Sequence, residues 1–412
     1  MAKSDSIGAA ASNLATRYAL VVVVILAIVY GSLYPFSFHN SGTIGAGLRH
    51  LLSTWKQLPQ SRGDFLVNLL LYAPLGLTMT AALSQSRSQW WWPMVVAVSS
   101  GTVLSFSIEW TQFYDAGRVS ALSDFYLNVA GTLAGSVFAR ASRVSSVRVS
   151  PPSGSTAAFA RLLLLAWLGW RLYPYAPTID LHKYWRSLKP IFLNPALPPD
   201  SIFRYAILWF SVAFLLQVAL RPRNLMRSLL TAMLVFFLAK IVIVGQSITF
   251  PELIGATSAL LLFPLFLQRH RSVAIRSLAA LLMITVVLSR VLPWHLGTTH
   301  KTFQWIPFFG FLHGSLQVNT IAFGEKFYLY GALLTLLVEA GMSLRKAVVL
   351  ECAFLATTSA LQTLLMSRSG EITDAAMAFI LGLIYALLKR QYPQTEDSPL
   401  RVFPRCADLQ RP

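Results

Sequence analysis

The sequence predicts an all-α, polytopic integral membrane protein with about twelve transmembrane helices in three repeated four-helix units. Three observations carry this expectation. Hydrophobic residues make up 55% of the 412 positions and charged residues 12%, and the mean hydropathy is +0.58, far outside the soluble range. Apolar runs of roughly 17–25 residues, enough to cross a hydrocarbon layer, recur along the chain. A set of polar residues recurs with them at constant offsets.

The runs fall at about 16–34, 64–83, 93–114, 121–139, 158–173, 202–220, 226–246, 250–268, 272–292, 320–341, 346–366 and 372–389. The first follows Arg17 and has no small-x-small cleavage site at its end, so it reads as a retained helix. Lys and Arg number 34 against 16 Asp and Glu, a formal charge of +18. Much of this excess lies in the short loops after the even-numbered runs, among them Arg87, Arg140, Arg221, Arg269 and Arg345. The positive-inside bias makes those loops and both termini cytoplasmic. No recognition motif accompanies the basic residues, so no nucleic-acid partner is expected. The two cysteines, Cys352 in a helix and Cys406 in the tail, give no basis for a structural disulfide. The Pro-rich, charged tail at 391–412 is expected to be disordered.

The repeat appears at the helix ends. The first run closes on "SLYPF" (32–36), the fifth on "RLYPYAP" (171–177) and the ninth on "RVLPWHL" (290–296). With Pro35, Pro174 and Pro293 in register, Asp124, Glu252 and Asp374 correspond. Twelve and six positions before those acids stand Gln112 and Arg118, then Lys240 and Gln246, then Gln362 and Arg368. The second runs align too, with Asn68 becoming Arg204 and then Lys326. The units are set at 16–140, 158–268 and 272–390. The first keeps the whole polar set, the second has lost most of it, and the third keeps half.

Ionisable groups at membrane depth are costly and should face protein or water with a partner at hand. Glu109 and Gln112 are i,i+3 on one helix; Asp124 and Asn128 are i,i+4 on the next. Gly131 and Gly135 continue the second face and would allow close helix packing. Arg118 lies in the turn "YDAGRVSAL", which the topology puts outside, and Asp64 and Asn68 begin the second run at the same level. Two readings stay open. In one, Arg118 pairs with Glu109 or Asp124 and the set ties helices together. In the other, Glu109 and Asp124 are catalytic acid and base candidates, while Asp64, Asn68, Gln112, Arg118 and Asn128 bind an anionic headgroup or polar glycan. Gln362, Arg368 and Asp374 are secondary candidates.

These same residues carry a family resemblance. "YPF" (34–36), "DFLVNLLLYAPLGL" (64–77) and "SIEWTQFYDAGRVSALSDFYLNVAGTLAG" (107–135) together resemble the VanZ-like family, most clearly over residues 16–140. The hallmarks fall on Tyr34 to Phe36, on Asn68, Pro74 and Gly76, on Glu109 and Gln112, on Arg118, and on Asp124, Asn128 and Gly131. The resemblance implies a bacterial inner (plasma) membrane protein of the cell envelope, linked to low-level resistance to teicoplanin-type glycopeptides. The partner expected is a membrane lipid or lipid-linked glycan, and whether chemistry follows recognition stays open. The rivals are a secondary transporter or flippase of envelope lipids, since repeats of twelve helices resemble that architecture, and a scaffold for envelope enzymes.

Weaker signals complete the sequence. In 43–58, Leu48, Leu51, Leu52, Trp55 and Leu58 share a helical face, as suits a helix lying on the membrane surface or a packed loop helix. "HKYWRSL" (182–188) is its counterpart in the second unit. His295, His300 and His313 do not make a metal set, and Ser105, Ser107 and Ser120 lack a nearby histidine. No phosphate- or dinucleotide-binding fingerprint is present, so no metal or other cofactor is expected.

The topology is testable with a membrane-impermeant thiol reagent. A cysteine placed at Ala116 should label in intact cells, whereas one placed at Ser146 should label only after permeabilisation; the reverse pattern inverts the topology.

Overall fold

The computed structural model describes residues 18, 20–34, 36–39, 43–56, 62–84, 91–116, 118–145, 154–193, 195–222, 224–268, 270–292, 302–313, 316–363 and 370–391. Among them the protein is entirely helical apart from three isolated β-bridges. Pro35, Pro293, His295, His300, Arg368, Cys406 and the 392–412 tail lie outside the described residues, as do the side chains of Asp64 and His313.

The chain divides into two compact units, Met1–Ser150 and Pro151–Pro412. The first contains α1 (Leu20–Leu33), α2 (Ile44–Ser53), α3 (Arg62–Leu83), α4 (Trp92–Gln112) and α5 (Leu122–Ser145). The second contains α6 (Ser155–Leu172), α7 (Leu181–Leu193), α8 (Pro199–Leu220), α9 (Leu225–Val242) and α10 (Phe250–Gln268). It continues with α11 (Arg271–Val291), α12 (Phe309–His313), α13 (Leu316–Glu339), α14 (Leu344–Gln362) and α15 (Thr373–Gln391). Each apolar run of the sequence overlies one of these helices. Among the described residues, α4, α8, α9, α11 and most of α13 are long and apolar enough to cross a membrane. Leu20–Leu33, Asn68–Leu83 and Phe250–Phe266 are shorter apolar stretches. The remaining helices α5, α6, α14 and α15 carry charges in their bodies or ends, such as Arg161 and Glu351, which lower their mean hydropathy.

In the first unit the glycine face predicted on α5 is used for close packing. A Cβ on Gly131 would overlap the Leu69 carbonyl, one on Gly135 the Ala73 carbonyl, and one on Gly76 the Thr132 carbonyl. α3 and α5 therefore meet backbone to backbone, as small-residue interfaces in membranes permit. Ser136 Oγ adds a 3.3 Å hydrogen bond to the Gly76 carbonyl. The α2 segment is helical as its pattern predicts, but its apolar residues divide. Leu51 is fully buried while Leu52 and Trp55 face outward, because Gly47 lets this helix settle beneath Trp110 and Tyr114.

In the second unit α8 and α13 are the most enclosed helices, with Trp209 of α8 meeting edge-on the stacked rings of Trp167 of α6 and Phe236 of α9. Its core draws on α6, α8, α9 and α10 together with α11, α13, α14 and α15, so the two later sequence segments share one apolar interior.

One joint recurs. Where α1 ends, the following strand-like residues bridge to the turn between α4 and α5: His39 N donates to Tyr114 O (2.9 Å) and Ala116 N to Ser37 O (3.0 Å). Where α6 ends, Thr178 N donates to Val242 O (3.1 Å) and Val244 N to Ala176 O (2.9 Å). These are the same positions in the sequence alignment. Phe36 and Tyr175, each following the aligned proline, both adopt the left-handed region, φ 61° and 59°. Near α15, Gln304 and Glu371 form an isolated parallel bridge.

Replacing Gly135 by Val should destabilise the full chain by about 1–3 kcal/mol or more through overpacking. Gly45, with open space around its Cβ position, should accept Ala with little change. Thermal unfolding in detergent compares the two.

Candidate functional site

The polar residues of the first unit converge where the ends of α1 and α4, the α4–α5 turn and the start of α5 meet. Arg118 Nε donates to the Tyr34 carbonyl (2.8 Å) and its Nη2 to the Gly31 carbonyl (2.6 Å). Both acceptors belong to the last turn of α1, whose carbonyls have no partner within the helix. A cation there also complements the negative end of the helix dipole. Arg118 thus forms an ion pair with neither Glu109 nor Asp124, which corrects the pairing expected in the helix-tying reading. Desolvation lowers the pKa of Arg118, with the neighbouring Asp115 carboxylate opposing, yet the guanidinium stays cationic at physiological pH.

Gln112 Nε2 donates to Ser32 O at 2.8 Å, a second clasp on the same helix end. Glu109 is 2% exposed and Oε2 accepts one hydrogen bond, from the Ala121 backbone N–H at 3.2 Å. No cation faces it among the described residues. Asp124, at the first turn of α5, lies within electrostatic reach of Glu109. Asn128 Nδ2 donates to Ser105 Oγ at 3.0 Å, while its buried Oδ1 has no partner. Asn68 is half-buried on α3, and no hydrogen bond is made by its carboxamide among the described residues. α2 closes this end, because Thr54 Oγ1 accepts from the Leu122 N–H at 2.9 Å and so serves the start of α5.

Two residues of this cluster stand outside the expected set. Tyr72 on α3 is fully buried beside Ser105 without a well-formed hydrogen bond to its hydroxyl. Ser105, which has no histidine near it in sequence, is fully buried and holds Asn128. A signal for Tyr72 does exist in the sequence, since it stands at i+4 from Asn68 on the same helix face.

The later acids are arranged differently. Glu252 pairs with Arg171 and, at 2.5 Å, with Lys240. Asp374 pairs with Arg290 (2.6 Å) and Lys326 (2.7 Å). Arg290 also donates to Tyr330 Oη (2.8 Å), Thr358 Oγ1 (2.6 Å) and Ser359 Oγ (2.9 Å). Arg171 and Arg290 occupy the aligned position three before the proline, where the first unit has Ser32. The repeat offsets single out Lys240 and Lys326 but not these two arginines, although both stand in the quoted helix ends. Gln362 is half-buried, with no side-chain hydrogen bond among the described residues. Among the described residues no cluster of three or more His, Cys, Asp or Glu is placed to hold a metal ion.

Among the described residues, helices of this length and apolar composition place the chain in the class of helical membrane proteins. The sequence model of the VanZ/LLP1 family matches residues 17–143, the segment that contains the whole polar cluster from Ser32 to Asn128. No curated protein and no solved structure shows significant similarity to the chain.

Arg118→Ala should lower stability by about 1.5–3 kcal/mol for each charged hydrogen bond lost. Asn68→Ala, at a side chain with no partner among the described residues, should change it by no more than about 0.5 kcal/mol. Thermal unfolding of the two full-length variants in detergent would separate the capping residue from the unengaged one.

Proposed function

We propose that the first unit is a VanZ-like site at the external face of a bacterial inner membrane, where it recognises or modifies a polar or anionic envelope precursor or lipid headgroup. The observation that carries this reading is unused hydrogen-bonding capacity in a buried place. Glu109 accepts a single backbone hydrogen bond, Asn128 Oδ1 and Tyr72 Oη are unsatisfied, and Asn68 points no bond at a neighbour. Buried polar groups are normally paired, and an orphaned cluster marks strain or a missing partner. The aligned acids Glu252 and Asp374 are instead neutralised by two cations each, which supports reading the later segments as degenerate repeats that kept the fold and lost the site.

In this reading Arg118 is a positioning residue that fixes α1 against the α4–α5 turn, with its remaining N–H groups turned to the anion. Gln112 shares that positioning role. Asn68 and Asn128 bind polar groups of the ligand. Glu109, enclosed on α4 with one backbone hydrogen bond, and Asp124, at the first turn of α5, are the acid and base if the ligand is modified. The segment's family match supports a link to teicoplanin-type glycopeptide tolerance.

A susceptible bacterium lacking its own copy provides the test. Expression of the wild-type chain should raise the tolerated teicoplanin concentration several-fold. Glu109→Gln and Asn68→Ala should return it to the vector level at equal membrane abundance. Full protection by both variants would leave the cluster as structure alone. Lipid and glycan analysis of the same cells distinguishes modification, which leaves a product, from recognition, which leaves none; uptake of labelled lipid into vesicles would indicate a flippase.

A further inference from the structure

Away from the first unit, the second holds a polar cavity of 200 Å³ lined by α12, α13 and the start of α15. Its charged groups are Lys326 and Glu371, and they do not pair with each other. Lys326 reaches Asp374 at 2.7 Å, while Glu371 Oε2 accepts from Thr373 Oγ1 at 2.9 Å and has no cationic partner among the described residues. The Glu371 carboxylate occupies the space left by Gly310, where a Cβ would overlap Oε1. Asn319 holds the α12 backbone in place, donating to Gly310 O (3.1 Å) and Phe311 O (2.7 Å). Three phenylalanines complete the wall, with the Phe308 and Phe311 rings 6.4 and 5.7 Å from that of Phe323.

Phe323 also borders a second cavity of 290 Å³. This one is almost wholly apolar and lies along α6 and the other face of α13. It runs from Tyr173 and Tyr175 at the end of α6 down to Gly169 and Ala166, roughly two helical turns into the apolar part of the helix. A polar chamber and an apolar groove thus share one wall at a helix end.

We propose that these two cavities bind one zwitterionic phospholipid. Its phosphate lies at Lys326, its ammonium lies between the Glu371 carboxylate and the faces of Phe308 and Phe311, and one acyl chain crosses Phe323 into the groove. The charge pattern selects this ligand. A lone cation would suit any anionic lipid, but an unpaired carboxylate facing the same small chamber repels an uncompensated anion and attracts an ammonium. Aromatic faces add cation–π attraction of about 0.5–2 kcal/mol for such a group. The depth of the apolar groove is what a free headgroup fragment would leave unfilled.

The test uses the purified full chain, stripped of lipid in detergent and then offered phosphatidylethanolamine, phosphatidylglycerol or phosphorylethanolamine without chains, with retention read by native mass spectrometry. Phosphatidylethanolamine should be retained at least ten-fold better than either competitor. Glu371→Gln should abolish the preference over phosphatidylglycerol, and Ile321→Trp, which fills the groove, should reduce retention of both lipids while the chain elutes as wild type in gel filtration. Equal retention of the two lipids by the wild type overturns the headgroup assignment. Equal retention of phosphorylethanolamine and the lipid overturns the groove assignment. An undiminished preference in a folded Glu371→Gln chain overturns the role of the carboxylate, and with it the proposal; should that variant fail to fold, the wild-type competition decides alone.

Discussion

A helix that stops inside or at the edge of a bilayer leaves carbonyl oxygens with no water to accept from, at several kcal/mol for each group left bare. The architecture of the first unit depends on how that constraint is met at the end of α1. Arg118 and Gln112, from the far side of the unit, supply donors to Gly31, Tyr34 and Ser32. Two backbone hydrogen bonds then zip the following segment to the α4–α5 turn. Everything else at this end is placed by that clasp, including the depth of Glu109 and the start of α5. In the second unit the same carbonyl position, Tyr173, accepts from Gln246, the residue aligned with Arg118. Side-chain charge changed between the two places, but the carbonyl still required a donor.

The acids show the complementary solution. At a given aligned position a carboxylate can be neutralised by neighbouring cations or left near groups that await a ligand. Glu252 and Asp374 follow the first course, each meeting an arginine from the preceding helix end and a lysine. Buried pairs of this kind contribute little net stability, yet losing one partner is costly. That asymmetry explains why such charges persist once both members are present.

The all-helical class and the places of the apolar helices were legible in the sequence, because length and hydropathy report burial directly and each apolar run overlies a helix. The polar offsets noted in the sequence fall on the clasp residues Arg118 and Gln112 and on the paired acids Glu252 and Asp374. The nature of the contacts was not. Arg118 reads as the partner of a carboxylate or of an anionic ligand because charge suggests charge, whereas the structure gives it backbone carbonyls, which sequence displays nowhere. Tyr72 stays hidden because an aromatic residue in an apolar run looks like core until its hydroxyl is seen without a partner. α2 illustrates a third gap. Its amphipathic period is real, but Gly47 lies against Trp110 and Tyr114 with Leu51 buried, while Leu52 and Trp55 turn out.

The contact between α3 and α5 has a mechanical meaning. Side-chain layers between helices can yield, because rotamers shift and small voids redistribute. Two backbones in direct touch at Gly76, Gly131 and Gly135 have no such layer, so α3 and α5 form one rigid post. Asn68 and Tyr72 stand on one half of that post and Asp124 and Asn128 on the other, which keeps their spacing constant whatever the surroundings do. Glu109, by contrast, stands on α4 and meets the start of that post through the Ala121 N–H.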